Sequence, residues 1–283
     1  MHILFDIGGT NMRLAGSRDG VLFGEMVKVK TPEDFGEGIR LFIETAREIA
    51  GAEKIDAIAG GIAGSFDAAK AALWRSPNIS GWEGKPLKKR FEEEFGVPVF
   101  LENDAALAGL GEAVAGAGKD HAIVGYITVG TGVGGVRIVD GTIDRNAVGF
   151  EPGHQIVSFD RGENFGLGGV GDLESCISGS AFEKRYGKKP YEVTEESAWE
   201  EAARVLAVGL YNVAVLWSPD AIVLGGSMIV GNPAIELERV QEYFSKILKI
   251  FETLPVLLKA HLGDVGGLSG ALALLKSELI RIE

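Results

Sequence analysis

Cysteine is almost absent from this sequence, which contains only Cys176 among its 283 residues. A single cysteine excludes an intramolecular disulfide and any zinc site built from several cysteines. We interpret Cys176 as a small core residue, because a reactive thiol needs activating neighbours that the sequence does not indicate.

Long apolar runs and basic clusters are missing as well. No apolar run approaches membrane-spanning length, and a strand pattern begins at the N-terminus without a signal peptide, so we expect a soluble cytoplasmic protein. The formal net charge is −12, and Lys88-Lys89-Arg90 is the longest basic run. This charge argues against nucleic acid and anionic membranes as partners. A phosphate-bearing ligand would therefore need local backbone amides, cations or a metal.

Glycine is abundant, with 41 residues against nine prolines, and it clusters as in ligand-contacting turns. The first cluster lies between two apolar runs and reads Asp6-Ile-Gly-Gly-Thr10-Asn11. Paired glycines let the backbone approach a ligand, and amides with the Thr10 hydroxyl can hold phosphate oxygens. Asp6 suits a Mg²⁺ that keeps most of its waters. A tight β-hairpin without a ligand is the alternative, because the same residues dominate ordinary turns.

Length and pattern predict a two-lobed α/β protein, because strands alternate with helices and 283 residues exceed one usual core. After a glycine-rich boundary at 116–120, the opening order of strand, glycine turn, strand and Asp-Gly hairpin recurs around Gly130–Gly135. A coincidence of two glycine hairpins is the weaker interpretation. We assign 1–115 to a small N-terminal lobe, with a C-terminal helix 268–283 packing back on it, and 116–267 to a large C-terminal lobe.

Three later segments have more than one interpretation. Gly130, Gly132 and Gly135 match a dinucleotide-binding pattern, but that motif needs a helix directly after the turn. A strand and hairpin are predicted there instead, so an NAD site is excluded. Gly225-Gly226 follows a buried strand, where it could admit adenosine or simply form a tight strand-helix turn. Asn232-Pro233 predicts the start of a helix that continues to about Glu252.

Taken together, the motifs resemble the ROK family of sugar kinases, nearly end to end and in the family's order. The resemblance implies the two-lobed actin-like ATPase and hexokinase fold, of the ribonuclease H-like type. The matching segments are Asp6-Ile-Gly-Gly-Thr10, Gly61-Ile-Ala-Gly64, Pro77-Asn78 with Gly81-Trp82, Glu102-Asn103-Asp104-Ala105, Gly130-Thr-Gly-Val-Gly-Gly135 and Glu151-x-Gly153-His154.

The resemblance also implies roles for individual residues. Asp104 is the catalytic base, although its position before a helix equally fits an N-cap. Asp6 holds Mg²⁺ through the metal's water shell, and His154 alone could simply bond backbone. Sugar binding is implied for Gly61, Asn78, Asn103, Asp104, Glu151, His154 and Glu174. ATP binding is implied for Gly8, Gly9, Thr10, Asn11, Gly130, Thr131, Gly132, Gly225 and Gly226.

The sequence departs from the family at its zinc site. In the family pattern, three cysteines and the histidine hold a structural zinc. Aligned on Glu174, this chain keeps Gly168 and Gly171 but has Phe165, Leu167 and Asp172 at the cysteine positions. We therefore expect no structural zinc and predict that packing of Phe165 and Leu167 replaces it.

The implied function is an ATP- and Mg²⁺-dependent glucokinase that phosphorylates the 6-hydroxyl of an aldohexose in glycolysis, with lobe closure excluding water. Alternatives are a kinase for N-acetylmannosamine, N-acetylglucosamine or another hexose, and a non-catalytic sugar-binding protein. ROK-like transcription repressors carry an N-terminal DNA-binding extension, which we do not expect here. Family members are commonly dimers or tetramers, and the residues do not decide between a homodimer, a homotetramer and a monomer.

Overall fold

The computed structural model describes residues 1–76, 78–158 and 171–282. The strands are β1 His2–Ile7, β2 Asn11–Ser17, β3 Val27–Lys30, β4 Ala57–Ile62, β5 Ser65–Phe66, β6 Leu73–Arg75, β7 Val99–Asn103, β8 Ile123–Val129, β9 Val133–Val139, β10 Thr142–Ile143, β11 Ile156–Ser158, β12 Gly171–Asp172, β13 Ala221–Gly225 and β14 Val256–Lys259. The α-helices are α1 Phe35–Ala50, α2 Leu87–Phe95, α3 Asp104–Ala115, α4 Leu173–Ile177, α5 Gly179–Tyr186, α6 Glu196–Trp217, α7 Ser227–Val230, α8 Leu237–Ile247 and α9 Gly266–Ile282.

The chain forms two compact units. The first contains residues 1–115, 141–149 and 262–283, and the second contains 116–140 and 150–261. Two segments that the sequence analysis assigned to the C-terminal lobe, 141–149 and 262–267, thus have most of their contacts in the first unit. The predicted lobe boundaries themselves stay a prediction.

The first unit is built on a five-stranded sheet in the order β3-β2-β1-β4-β7. β1 pairs with β2 as an antiparallel hairpin, whereas β4 runs parallel to both β1 and β7. Every residue of β4 is buried, which is typical of a strand covered on both faces. On one face, Phe42 of α1 stacks on Phe91 of α2 with 4.2 Å between ring centroids. α3 and α9 pack closely on each other, and both contact β4.

The second unit repeats this arrangement with β9-β8-β13-β14. β8 and β9 form an antiparallel hairpin, and β13 runs parallel to β8 and β14. The predicted repeat of strand, glycine turn and strand is therefore confirmed. The Asp-Gly hairpin predicted for the first copy is instead an irregular loop. In that loop, Asp19 Oδ1 accepts hydrogen bonds from the amides of Val21 and Leu22.

The predicted helix start at Asn232-Pro233 is wrong. α8 begins at Leu237. The segment before it packs back on α7, because the amide of the buried Ile235 donates to the carbonyl of Met228 at 2.7 Å. α8 also ends at Ile247 rather than near Glu252.

α6 crosses the core of the second unit, where its small and aliphatic residues pack with Leu173, Ile222 and Phe244. Along the three described stretches of the chain, no helix combines the length and apolar character needed to cross a membrane.

Candidate functional site

The first glycine turn joins β1 to β2, and two hydrogen bonds from Thr31 stabilise it. Gly8 donates its amide to the carbonyl of Asn11 at 2.9 Å, which closes the turn. The Thr31 hydroxyl donates to Gly8 O at 2.7 Å, and the Thr31 amide donates to Thr10 O at 3.0 Å. Thr10 is exposed and Asn11 already belongs to β2. The turn thus has a fixed backbone with an exposed hydroxyl, as a phosphate-binding turn requires.

Asp6 lies near the end of β1, directly opposite Arg13 of β2. Burial and the nearby charge of Asp104 raise the pKa of Asp6 to about 7, against the opposing effect of Arg13. Arg13 Nη1 lies 3.4 Å from Asp6 Oδ2, and its Nη2 donates to Asp264 at 2.9 Å. The start of α9 also contacts Asp6, because a Cβ on Gly267 would lie 2.7 Å from the Asp6 carboxyl carbon.

Asp104 is the first residue of α3, and its pKa is raised by burial, although its own backbone amide and that of Ala105 oppose this. The helix is capped by Asn103, whose Oδ1 accepts from the Ala106 amide at 3.0 Å. The interpretation of Asp104 as the N-cap is therefore wrong. Gly61 of β4 lies against this point, since a Cβ there would be 3.2 Å from Asp104 Cα. A buried carboxyl with a raised pKa is a suitable proton acceptor.

The neighbours of Asp104 are held by contacts within the first unit. Asn103 Nδ2 donates to the carbonyl of Gly64 at 2.9 Å, so both ends of its amide have protein partners. Glu102 is buried, accepts from the Asn103 amide, and forms an ion pair with Lys70.

Asn78 is exposed and contacts the first glycine turn, because a Cβ on Gly9 would lie 2.5 Å from Asn78 Cβ. Its neighbour Pro77 lies outside the described residues. Trp82 from the same motif is a core residue, and its indole nitrogen donates to Pro32 O at 3.1 Å. The motif therefore combines a structural anchor with an exposed amide beside the glycine turn.

The second glycine turn contains only Gly130, Thr131 and Gly132, because Gly134 and Gly135 belong to β9. Gly130 donates to Gly132 O at 2.8 Å, and the start of α5 supports the turn through Gly179, whose amide donates to Gly130 O at 2.7 Å. A strand follows the turn directly. The exclusion of an NAD-binding βα motif is thus confirmed.

Glu151, His154 and Glu174 influence one another in the second unit. Burial raises the pKa of Glu151, and Glu174 adds to the increase while His154 opposes it. Glu174 Oε2 accepts the Val133 amide at 2.8 Å, directly after the glycine turn. Gly132 lies close to the same carboxylate, since a Cβ there would be 2.6 Å from Glu174 Oε2. His154 Nδ1 lies 3.1 Å from Asp172 Oδ2.

Gly225 ends β13 and Gly226 precedes α7 with a φ of +86°. A side chain at Gly225 would clash with the Tyr126 hydroxyl, and one at Gly226 with the Val129 carbonyl. The tight strand-helix turn therefore accounts for both glycines. Adenosine binding at this turn stays a prediction.

The two metals considered from the sequence fit differently. Asp6 is a buried carboxylate with one cationic partner, which suits a hydrated Mg²⁺ beside a phosphate turn. For zinc, no group of three or more His, Cys, Asp or Glu side chains within the described ranges could hold a metal ion. Phe165, Leu167 and Gly168 lie outside the described residues.

Sequence comparison identifies the protein family to which this architecture belongs. The ROK family model matches residues 3–278. The chain belongs to the ROK family. An N-acetyl-D-glucosamine kinase of Vibrio parahaemolyticus is 31% identical, with 96% of this chain and 98% of that protein covered. A glucokinase of Streptomyces coelicolor is 30% identical over 94% of each chain.

Two solved ROK structures are similar in fold. A hexokinase from Thermus thermophilus has a TM-score of 0.86 at 29% identity and 99% coverage of both chains. A glucokinase from Streptomyces griseus, in complex with glucose and AMPPNP, has a TM-score of 0.77 at 28% identity, covering 96% of this chain and 98% of that one. The predicted α/β fold of the actin-like and hexokinase type is confirmed for this ROK protein.

Four residues that the sequence analysis gave no role contact residues of the matching motifs. Arg13 and Gly267 contact Asp6, Lys70 pairs with Glu102, and Asp172 contacts His154. Only Arg13 had a local signal, because a hairpin around the first turn places it opposite Asp6. The other three contacts join segments that are distant in sequence.

Proposed function

We propose that this ROK protein is an ATP- and Mg²⁺-dependent hexose kinase that transfers the γ-phosphoryl group to the 6-hydroxyl of an aldohexose, with glucose as the leading substrate. The observation that carries the proposal is Asp104, a buried carboxyl with a raised pKa at the start of α3, against Gly61 and close enough to Asp6 to influence its pKa. Phosphoryl transfer needs positioning, charge neutralisation and an acceptor for the hydroxyl proton.

The roles follow from the chemistry of each group. Asp104 takes the proton from the attacking hydroxyl, because burial makes its carboxylate more basic than an exposed one. Asp6 would hold Mg²⁺, which supplies charge neutralisation at the phosphates when bound. Sugar hydroxyls are assigned to Gly61, Asn78, Asn103, Asp104, Glu151, His154 and Glu174. Nucleotide contacts are assigned to Gly8, Gly9, Thr10, Asn11, Gly130, Thr131, Gly132, Gly225 and Gly226.

A second candidate is a kinase for an N-acetylhexosamine. The support is the similarity to an N-acetyl-D-glucosamine kinase at the same level as to a glucokinase. A non-catalytic sugar-binding protein is disfavoured, because Asp6 and Asp104 are both present and both have raised pKa values.

The test is to incubate the protein with ATP, Mg²⁺ and each sugar of a panel of hexoses and N-acetylhexosamines, and to measure the release of ADP. We expect sugar-dependent ADP release, with the highest kcat/KM for glucose. A kcat/KM for N-acetylglucosamine or N-acetylmannosamine that is higher than that for glucose would support the second candidate instead. Calorimetric sugar binding without ADP release from any sugar would favour the non-catalytic alternative.

A further inference from the structure

The contact between His154 and Asp172 joins two segments of the second unit. His154 ends a short 3₁₀ helix, Pro152–His154, and Asp172 lies in β12 just before α4. Their side chains approach to 3.1 Å between Nδ1 and Oδ2. The Asp172 side chain is only 10% exposed, whereas that of His154 is 56% exposed. The carboxylate is therefore the fixed partner and the imidazole is the accessible one.

Asp172 is held by several contacts besides that with His154. Its Oδ1 accepts the Ser175 amide at 2.8 Å, which makes it the N-cap of α4. Its backbone pairs with Ile156 across β11 and β12, and its carbonyl accepts the Ser175 hydroxyl at 3.0 Å. These contacts use one carboxylate oxygen and fix the direction of the other, Oδ2, towards His154.

The charges around His154 determine which ring nitrogen carries the proton. Burial alone would raise the pKa of Asp172, but the bonds from Ser175 and His154 lower it, so this carboxylate is ionised and only accepts. Burial would lower the pKa of His154, but Asp172, Glu174 and Glu151 together raise it. His154 Nδ1 therefore donates to Asp172, and Nε2 is the nitrogen left for a ligand.

We propose that Asp172 is a positioning residue that fixes the ring and the Nδ1–H tautomer of His154, so that Nε2 binds a sugar hydroxyl. Asp172 stands at one of the positions where the family pattern has a zinc-ligating cysteine. In this chain the side chain at that position is a carboxylate that contacts the histidine directly. This inference rests on the proposed sugar kinase function, and it adds a residue that the family signature does not contain.

A purely structural role as the cap of α4 is the competing explanation, and one substitution separates the two roles. Asp172→Ser keeps an N-cap oxygen but removes the carboxylate from His154. Asp34→Ser is the matched control, because Asp34 caps α1 in the first unit through the Glu37 amide at 2.9 Å. Both variants exchange a capping aspartate for serine, and only one of them touches a histidine.

The first measurement is the pKa and tautomer of His154 by ¹⁵N NMR of the imidazole rings. The chain has four histidines, so loss of one signal in His154→Gln assigns the resonance. We expect an Nδ1–H tautomer and a pKa above 6.5 in the wild type and in Asp34→Ser. In Asp172→Ser the pKa falls and the tautomer preference is lost. An unchanged His154 signal in Asp172→Ser would overturn the proposal.

The second measurement is steady-state kinetics with the best sugar of the panel. Loss of a group that orients a ligand-binding histidine is expected to raise the sugar KM about 10-fold or more. The KM for ATP should match that of Asp34→Ser. An equal increase in the KM for sugar and the KM for ATP, or an unchanged sugar KM, would contradict a positioning role.

The two proposals fail in different ways. A wild-type protein that phosphorylates no sugar defeats the kinase proposal, and the NMR result then decides the orientation of His154 alone. Purified wild type with stoichiometric zinc that is lost in Asp172→Ser would overturn the inference, since the histidine would then be metal-bound.

Discussion

Asp6 and Asp104 are two carboxyl groups whose pKa values are raised chiefly by burial, yet their contacts suit them to different tasks. Asp6 contacts Arg13 and lies two residues before the first glycine turn. Asp104 faces Gly61 at the start of α3 and has no cation among the groups that shift its pKa. Arg13 favours the ionised form of Asp6, which a metal ligand needs, whereas no cation among the described residues opposes protonation of Asp104.

The raised pKa of Asp6 predicts an effect of pH on stability. The Asp6 carboxyl binds its proton more tightly in the folded state than in the unfolded state. The folded protein therefore loses stability as the pH rises from 3.8, the ordinary pKa, to about 7, the folded-state pKa. We expect Asp6→Asn to raise Tm by about 2 °C or more at about pH 8 without Mg²⁺, and to lower kcat about 100-fold or more. Calorimetry and initial rates measure the two effects.

Asp264→Asn is the control for this prediction. The hydrogen bond from Lys28 lowers the pKa of Asp264, and Arg13 adds to the decrease. Loss of the Asp264 carboxylate should therefore lower Tm at the same pH. A lower Tm for Asp6→Asn as well would show that the Arg13 pair outweighs the cost of burying the Asp6 charge.

The His154–Asp172 pair gives a pH dependence of the same sign, because its stabilising contribution is also lost as pH rises. Because the pKa of His154 is raised above 6.5, its stabilising contribution is complete below that pH and is lost as pH rises through the folded-state value. The difference in unfolding free energy between wild type and Asp172→Ser should therefore shrink from about pH 5.5 to about pH 9. Urea titrations across this range test it, and a constant difference would exclude a charged His154.

At the scale of elements, α3 and α9 approach each other closely at two glycines. A Cβ on Gly270 would clash with the carbonyl of Leu107, and one on Gly111 with the carbonyl of Gly266. We expect Gly270→Ala to lower the free energy of unfolding by about 1–3 kcal/mol, because one helix must move. Gly266→Ala is the matched control, since its nearest contact would be an ordinary 3.6 Å from Leu262 Cβ. Equal unfolding midpoints in urea for both variants would disprove the close crossing.

The elements that sequence predicts best are those fixed by local pattern. The glycine turns, the strand before Glu102 and the end of α2 at Gly96, with its φ of +66°, follow from spacing and backbone preference. The start of α8 was wrong because the tertiary use of Ile235 outweighs the local signal of Asn232-Pro233. The alternative that Asp104 caps α3 was one residue late, since Asn103 and Asp104 are equally good caps by composition.

At the scale of the whole molecule, the repeat in sequence corresponds to two sheets with the same strand order and direction. The family match covers residues 3–278, so the whole described fold is of the ROK type. Because the net charge is −12, phosphate binding would depend on local groups such as those predicted at the two glycine turns. Sequence could place those turns, but contacts such as Lys70–Glu102 and His154–Asp172 depend on tertiary structure.

The central claim is that Asp104 serves as the base in sugar phosphorylation by ATP. The most direct measurement is ³¹P NMR of glucose, ATP and Mg²⁺ incubated with wild type and with Asp104→Asn, alongside calorimetry of glucose binding. We predict a 6-phosphate ester with the wild type and, for Asp104→Asn, retained glucose binding with turnover lower by about 100-fold or more. Formation of the ester at a near wild-type rate by Asp104→Asn would contradict the account.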